Sequence, residues 1–126
     1  MLRRLLIQDF VLVDRLELDF RSGFGALTGE TGAGKSILLD ALSLLLGERA
    51  DGSVVRSGCE KSDLVAEFDL APGSEAALWL ASQDLAVEDD SLLVRRVVEA
   101  GGRSRAYLNG MPVTAGQLRE LGEFLA

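Results

Sequence analysis

Eight consecutive residues, Gly29-Glu30-Thr31-Gly32-Ala33-Gly34-Lys35-Ser36, constrain this chain more than any other stretch. They satisfy the phosphate-loop pattern G-x-x-x-x-G-K-[ST] in full. Such a loop needs glycine-type dihedrals and little side-chain bulk, so that successive backbone N–H groups point at one polyphosphate. Gly29, Gly32 and Gly34 supply that freedom. The loop must also lie between a buried strand and a helix whose N-terminal amides and dipole favour an anion. Phe24 to Thr28 is apolar enough to be a short strand buried on both faces. From Lys35 to Leu46 the apolar residues Ile37, Leu38, Ala41, Leu42, Leu45 and Leu46 recur at helical spacing, and Gly47 suits a helix stop. The expected ligands are therefore ATP and Mg²⁺. The loop from Gly29 through Glu30, Thr31, Gly32, Ala33 and Gly34 would cradle phosphate. Lys35 would be the catalytic cation at the β- and γ-phosphate oxygens, and the Ser36 hydroxyl would ligate Mg²⁺.

The remaining pattern fills in an α/β lobe. Leu2 to Gln8 reads as a strand, and Val11 to Phe20 as a second, with apolar Val13, Leu16, Leu18 and Phe20 set against Asp14, Arg15, Glu17 and Asp19. The two should pair. Glu48 to Lys61 reads as a loop. Leu64 to Leu70 is a strand, and Pro72-Gly73 ends it. Ser74 is placed to cap a helix from Glu75 to about Gln83. Ser91 to Glu99 and Arg103 to Leu108 are strands joined by Ala100-Gly101-Gly102. Asn109-Gly110 is a turn signal, and Pro112 is expected to bar regular structure. Thr114 and Gln117 fit a capping box for a last helix reaching Leu125.

Composition excludes whole classes of chemistry. The 126 residues contain no His and one Cys. Without His there is no Ser-His or Cys-His nucleophile pair and no His-ligated zinc. The lone Cys59 cannot form an intrachain disulfide, so nothing marks the chain as secreted. No run approaches the roughly 20 apolar residues of a membrane span. A cytoplasmic location and no membrane partner are expected. The formal charge of -7 argues against a broad, non-specific nucleic-acid coat over this segment. Of the 13 basic residues only Lys35 and Lys61 are lysines.

Two predicted strands precede the loop, a layout that resembles ATP-binding-cassette ATPases. Ile7-Gln8-Asp9-Phe10 is similar to the I-x-N-F opening of chromosome-maintenance ATPases, with Asp9 at the place of their Asn. Lys35-Ser36-Ile37-Leu38-Leu39-Asp40-Ala41-Leu42 resembles their K-S-x-[IL]-x-D-A-[IL] helix. Tyr107-Leu108-Asn109-Gly110-Met111-Pro112-Val113 resembles their aromatic-x-N-G-x-P-V segment. Leu27 to Leu42, with Leu45-Leu46-Gly47-Glu48-Arg49-Ala50, looks like the start of the RecN family, bacterial DNA-repair proteins related to structural-maintenance-of-chromosomes (SMC) proteins. Val55-Arg56-Ser57-Gly58, Glu67-Phe68, Gly102-Arg103-Ser104-Arg105 and Leu118-Arg119-Glu120-Leu121-Gly122 also fit.

The resemblance implies an α/β P-loop NTPase of the ABC/SMC head type. Residues 1–126 would form its N-terminal half, with antiparallel strands before the P-loop and a mixed sheet packed on helices. The long coiled coil and the C-terminal half, carrying the signature motif and Walker B acids, would lie outside this chain. It further implies ATP-driven head engagement in the repair of DNA double-strand breaks and a nucleoid-associated cytoplasmic location. DNA, the C-terminal half of the same head, and a second copy through heads or coil would be partners. This segment alone would then hydrolyse ATP negligibly. A transporter-type cassette ATPase and a nucleotide-binding scaffold without turnover are the competing readings.

Weaker candidates carry plainer alternatives. Arg49 and Arg56 could face the nucleotide or a partner head, or be solvated loop arginines. Gln8 could approach the base, or be polar strand surface. Arg3/Arg4, Arg95/Arg96 and Arg103/Arg105 could form a phosphate-binding patch, or ordinary surface ion pairs. Asp40 could support the site or be an exposed helical carboxylate. Cys59 reads as an incidental thiol, and Trp79 as helix packing.

Overall fold

A computed structural model describes residues 2–10, 13–19, 32–49, 52–71, 73–85 and 91–125; for residues 2, 18, 19, 32–38 and 125 it describes the backbone. Its strands are β1 (Leu2–Phe10), β2 (Val13–Asp19), β3 (Lys61–Asp69), β4 (Ser91–Glu99), β5 (Ser104–Leu108) and β6 (Met111–Val113). Its helices are α1 (Gly32–Leu45), α2 (Glu75–Ser82) and α3 (Ala115–Leu125). The strands form one six-stranded sheet in the order β2-β1-β3-β4-β5-β6. Every pairing among the described residues is antiparallel. The expected buried strand Phe24 to Thr28, which would make the sheet mixed, lies outside the described residues.

Alternation explains the sheet. In β3, Ser62, Leu64, Ala66 and Phe68 are buried and the residues between them are not. Register carries the same face across the strands: Leu64 lies opposite Ile7 and Arg96, and Ala66 opposite Leu5 and Val94. This inner face receives all three helices, because Ala41, Leu44 and Leu45 of α1, Ala76 and Leu80 of α2, and Leu118 and Leu121 of α3 join its single core. Each fully buried Leu contributes about 2 kcal/mol on transfer from water. The opposite face carries Arg4, Leu6, Asp63, Val65, Glu67, Arg95 and Tyr107 and is polar and partly exposed.

Turns and caps follow local chemistry. Asn109 (φ 51°) and Gly110 (φ 83°) close the β5–β6 hairpin. Two left-handed residues in sequence match the right-handed twist of the strands they join. The Ser74 side chain caps α2 by accepting from the Ala77 N–H. At α3 the capping box is reciprocal: the Gln117 N–H donates to Thr114 Oγ1 at 3.1 Å, and the Thr114 N–H donates to Gln117 Oε1 at 2.9 Å. Asp9 is left-handed (φ 52°), a conformation that Asp and Asn tolerate better than other side chains. It breaks the alternation of β1, so that Phe10 is buried although Gln8 is not.

Three expectations are corrected. Pro112 does not end regular structure; it pairs with Tyr107 within β6, at the sheet edge, where its missing N–H costs no ladder bond. The segment after α1 is not all loop, since Gly52–Val54 form a 3-10 turn and Val55 bridges to Phe10. The helix expected from Lys35 begins at Gly32.

Candidate nucleotide-binding site

Gly29, Glu30 and Thr31 lie outside the described residues. Gly32, Ala33, Gly34 and Lys35 are the first helical turn of α1, and Ser36 follows. The glycine-rich sequence thus runs straight into a helix. The first four N–H groups of a helix have no intrahelical acceptor and carry the positive end of its dipole. The first turn of α1 contains no acidic residue to compete for those amides. A helix start whose first turn carries no carboxylate fits a phosphate group.

The other end of α1 is closed. Gly47 (φ 102°) donates its N–H to Leu44 O at 3.2 Å, and Glu48 donates to Ser43 O at 3.0 Å. These paired bonds are a Schellman stop. The last turn of α1 has no basic residue of its own. Its cation comes from β4: Arg96 Nη1 donates to Leu44 O at 2.7 Å and also to Glu48 O, and Nη2 donates to Ser104 Oγ at 3.1 Å. Arg96 is 2% exposed. Burial, and secondarily the Arg119 cation, push its pKa down. The expectation of a surface Arg95/Arg96 pair therefore fails at Arg96, which stands at an inward position of the strand.

Of the other paired arginines, Arg3, Arg4, Arg95 and Arg105 make surface ion pairs, and Arg103 is exposed. Arg95 donates twice to the Asp63 carboxylate, at 3.0 and 2.7 Å, and lies over the Tyr107 ring. Arg3 pairs with Asp69, Arg4 with Glu17 and Arg105 with Glu99. Trp79 packs against the core, as expected. Asp40 is exposed and lines a cleft of about 310 Å³ with Phe10, Ser43, Leu44, Glu48 and Val54. The carboxylates of Asp40 and Glu48 make that cleft unsuited to phosphate.

Gln8, Arg49 and Arg56 are the remaining candidates. Gln8 lies between Arg15 and Asp63 in register, and its position alternates onto the sheet face opposite α1. Its backbone carbonyl accepts from Ser62 Oγ. Arg49 is exposed and follows the C-terminal stop of α1, about 20 Å along the helix from Gly32. Arg56 is tied to the β1–β2 hairpin: its N–H donates to Asp9 O at 2.8 Å and its guanidinium meets Asp14 at 3.3 Å.

Comparison with known proteins decides the family. The RecF/RecN/SMC N terminal domain model matches residues 1–125. The chain belongs to that family. Among RecF/RecN/SMC proteins it is 47% identical to a DNA repair protein RecN of Xylella fastidiosa strain Temecula1 over 99% of this chain and 22% of that protein. It is 41% identical to RecN of Bacillus subtilis with the same coverage. The chain thus spans 22% of the length of these RecN relatives. Solved structures share the fold. One from work on "ATP-driven dimerization and DNA stimulated activation of SMC ATPases" matches with a TM-score of 0.70 at 21% identity, covering 95% of this chain and 76% of that one. An SMC head domain from Thermotoga maritima gives 0.63 at 19% identity, covering 94% and 41%. A structure of "the recombination mediator protein RecF-ATPrS in RecFOR pathway" gives 0.68 at 17%, covering 94% and 29%. The six-stranded sheet with α1 on its inner face is therefore this family's N-terminal domain fold.

Proposed function

We propose that this segment is the ATP-binding lobe of an SMC-like ATPase that acts in recombinational repair of DNA double-strand breaks. One observation carries the reading: a full phosphate-loop motif runs without interruption into the first turn of α1. Kinship with DNA repair RecN proteins across 99% of the chain supports the repair assignment over a transporter-type cassette.

The backbone amides from Gly29 to Gly34 and the dipole of α1 would hold the β- and γ-phosphates. The Lys35 ammonium would pair with their oxygens and stabilise the charge that develops during transfer. The Ser36 hydroxyl would be a ligand for Mg²⁺, which when bound neutralises phosphate charge. Residues 1–126 form the N-terminal half of the head in this reading. The acids that orient the attacking water come from a sequence-distant C-terminal half beyond a coiled coil. ATP binding favours engagement of two heads on DNA, and hydrolysis releases them, in a nucleoid-associated cytoplasmic protein. Arg49 and Arg56 would face the nucleotide or the partner head.

The test is Lys35→Ala in the full-length protein. Mg·ATP turnover should fall at least about 100-fold, while circular dichroism stays unchanged. Turnover at the wild-type rate would sink the assignment.

A further inference from the structure

Resting on the reading that the P-loop binds nucleotide, we propose that Arg96 is a positioning residue for that site, acting through the opposite end of α1. The inward positions of β4 are Leu92, Val94, Arg96 and Val98, and all four are buried. Three are apolar, as a central strand under three helices requires, and the fourth is a cation. Burying a charge is costly, and a well-packed apolar side chain at such a position is often neutral or better for stability. Among the described residues the hydrogen-bond partners of Arg96 include no carboxylate: they are Leu44 O, Glu48 O and Ser104 Oγ. Its Nε has no partner among the described residues. The negative end of α1 is what compensates the charge.

The contact geometry is that of a clamp. The two carbonyls lie on either side of the Gly47 turn, so one guanidinium nitrogen grips the helix end and the chain leaving it. The other nitrogen is anchored on β5 through Ser104. This fixes both the position of α1 along its axis and its rotation against the sheet. The helix is continuous from Gly32 to Leu45, a rod of about 20 Å. Movement at Leu44 is therefore delivered to the amides at Gly32 to Lys35. Misplacement of about 1 Å at a reacting group can cost about 100-fold in rate. An arginine retained only for fold stability would leave nucleotide affinity untouched once the fold is intact.

The experiment uses the full-length protein, binding of a fluorescent ATP analogue with Mg²⁺, and steady-state ATP hydrolysis. Arg96→Met should weaken nucleotide binding by about tenfold and lower kcat by a similar factor or more. Arg96→Lys keeps the charge but cannot bridge both carbonyls and Ser104, and should bind about threefold more weakly than wild type. Val98→Ala, on the same strand face, is the control for lost stability and should leave affinity within about twofold. Wild-type affinity and kcat in Arg96→Met overturn the proposal. So does an equal loss in Val98→Ala at a matched fall in melting temperature. Should Arg96→Met not fold, Arg96→Lys decides: about threefold weaker binding supports the clamp, and unaltered binding overturns it. Lys35→Ala separates the two levels. Its loss of turnover with an unaffected Arg96→Met defeats only the clamp, whereas a wild type that binds no nucleotide defeats the P-loop reading itself.

Discussion

A β-carbon at Gly47 would stand 2.4 Å from Arg119 Cγ, 2.7 Å from the Arg119 nitrogen and 2.8 Å from Ala115 O. The same residue has φ of 102°. It therefore stops α1 and also seats α3 against that stop, and both demands exclude a side chain. Gly47→Ala should cost about 2 kcal/mol or more, since left-handed strain and overpacking add. A fall of several degrees in melting temperature would show it, and an unchanged value would refute the packing argument. Cys59 illustrates a quieter residue. Desolvation, then a hydrogen bond with the Asp9 side chain and its charge, push the thiol pKa up. A pKa higher in the fold than in the open chain gives stability below the ordinary thiol value, and that stability is lost as pH rises through the raised one. Cys59 should accordingly alkylate more slowly at about pH 8 in the native protein than in urea, and Asp9→Asn should speed the native reaction.

Elements show where sequence reading succeeds. Most of the described strands came out nearly whole, because a period of two survives in Leu64-Val65-Ala66-Glu67-Phe68 and Ser91 to Glu99 is rich in Leu and Val. Caps were equally legible, since Ser74 with Ala77, and Thr114 with Gln117, act within three residues of each other. Thr114→Ala should cost about 1 kcal/mol, measurable as a lower urea midpoint. Gln117→Ala should cost less, because it leaves the Thr114 cap itself in place. The phosphate-loop motif is local in the same way. What escaped depended on distance along the chain. Arg96 looks like half of a surface pair until its partner at Leu44, 52 residues away, is known. Asn109 reads as a turn residue, yet its side chain also donates to Leu85 O at 2.7 Å and accepts from the Leu93 N–H at 2.9 Å, tying the hairpin to β4 and the end of α2. Pro112 was misread because its effect depends on β6 being an edge strand, which only the sheet order reveals.

At the scale of the whole molecule, this chain covers 22% of the RecN proteins it resembles. It holds the phosphate-loop motif and the helix that the motif opens. Phosphoryl transfer also needs an acid to orient the nucleophile, and the carboxylates described near α1, Asp40 and Glu48, line a cleft along its C-terminal half. A loop without that acid binds nucleotide without efficiently activating water. The split-head reading therefore separates binding from turnover. Residues 1–126 expressed alone should bind Mg·ATP weakly through the P-loop and release phosphate at a rate indistinguishable from a Lys35→Ala copy of the same segment. Adding the remainder of the parent chain as a separate polypeptide should restore Lys35-dependent release, because the split-head reading has the two halves meet through folded surfaces rather than through chain continuity. Phosphate release by the wild-type and Lys35→Ala segments, each with and without that remainder, measures this directly. Repeated, Lys35-dependent turnovers by the 126-residue segment alone would mean that the catalytic acid lies within it, and that the head is not divided between distant halves of the sequence.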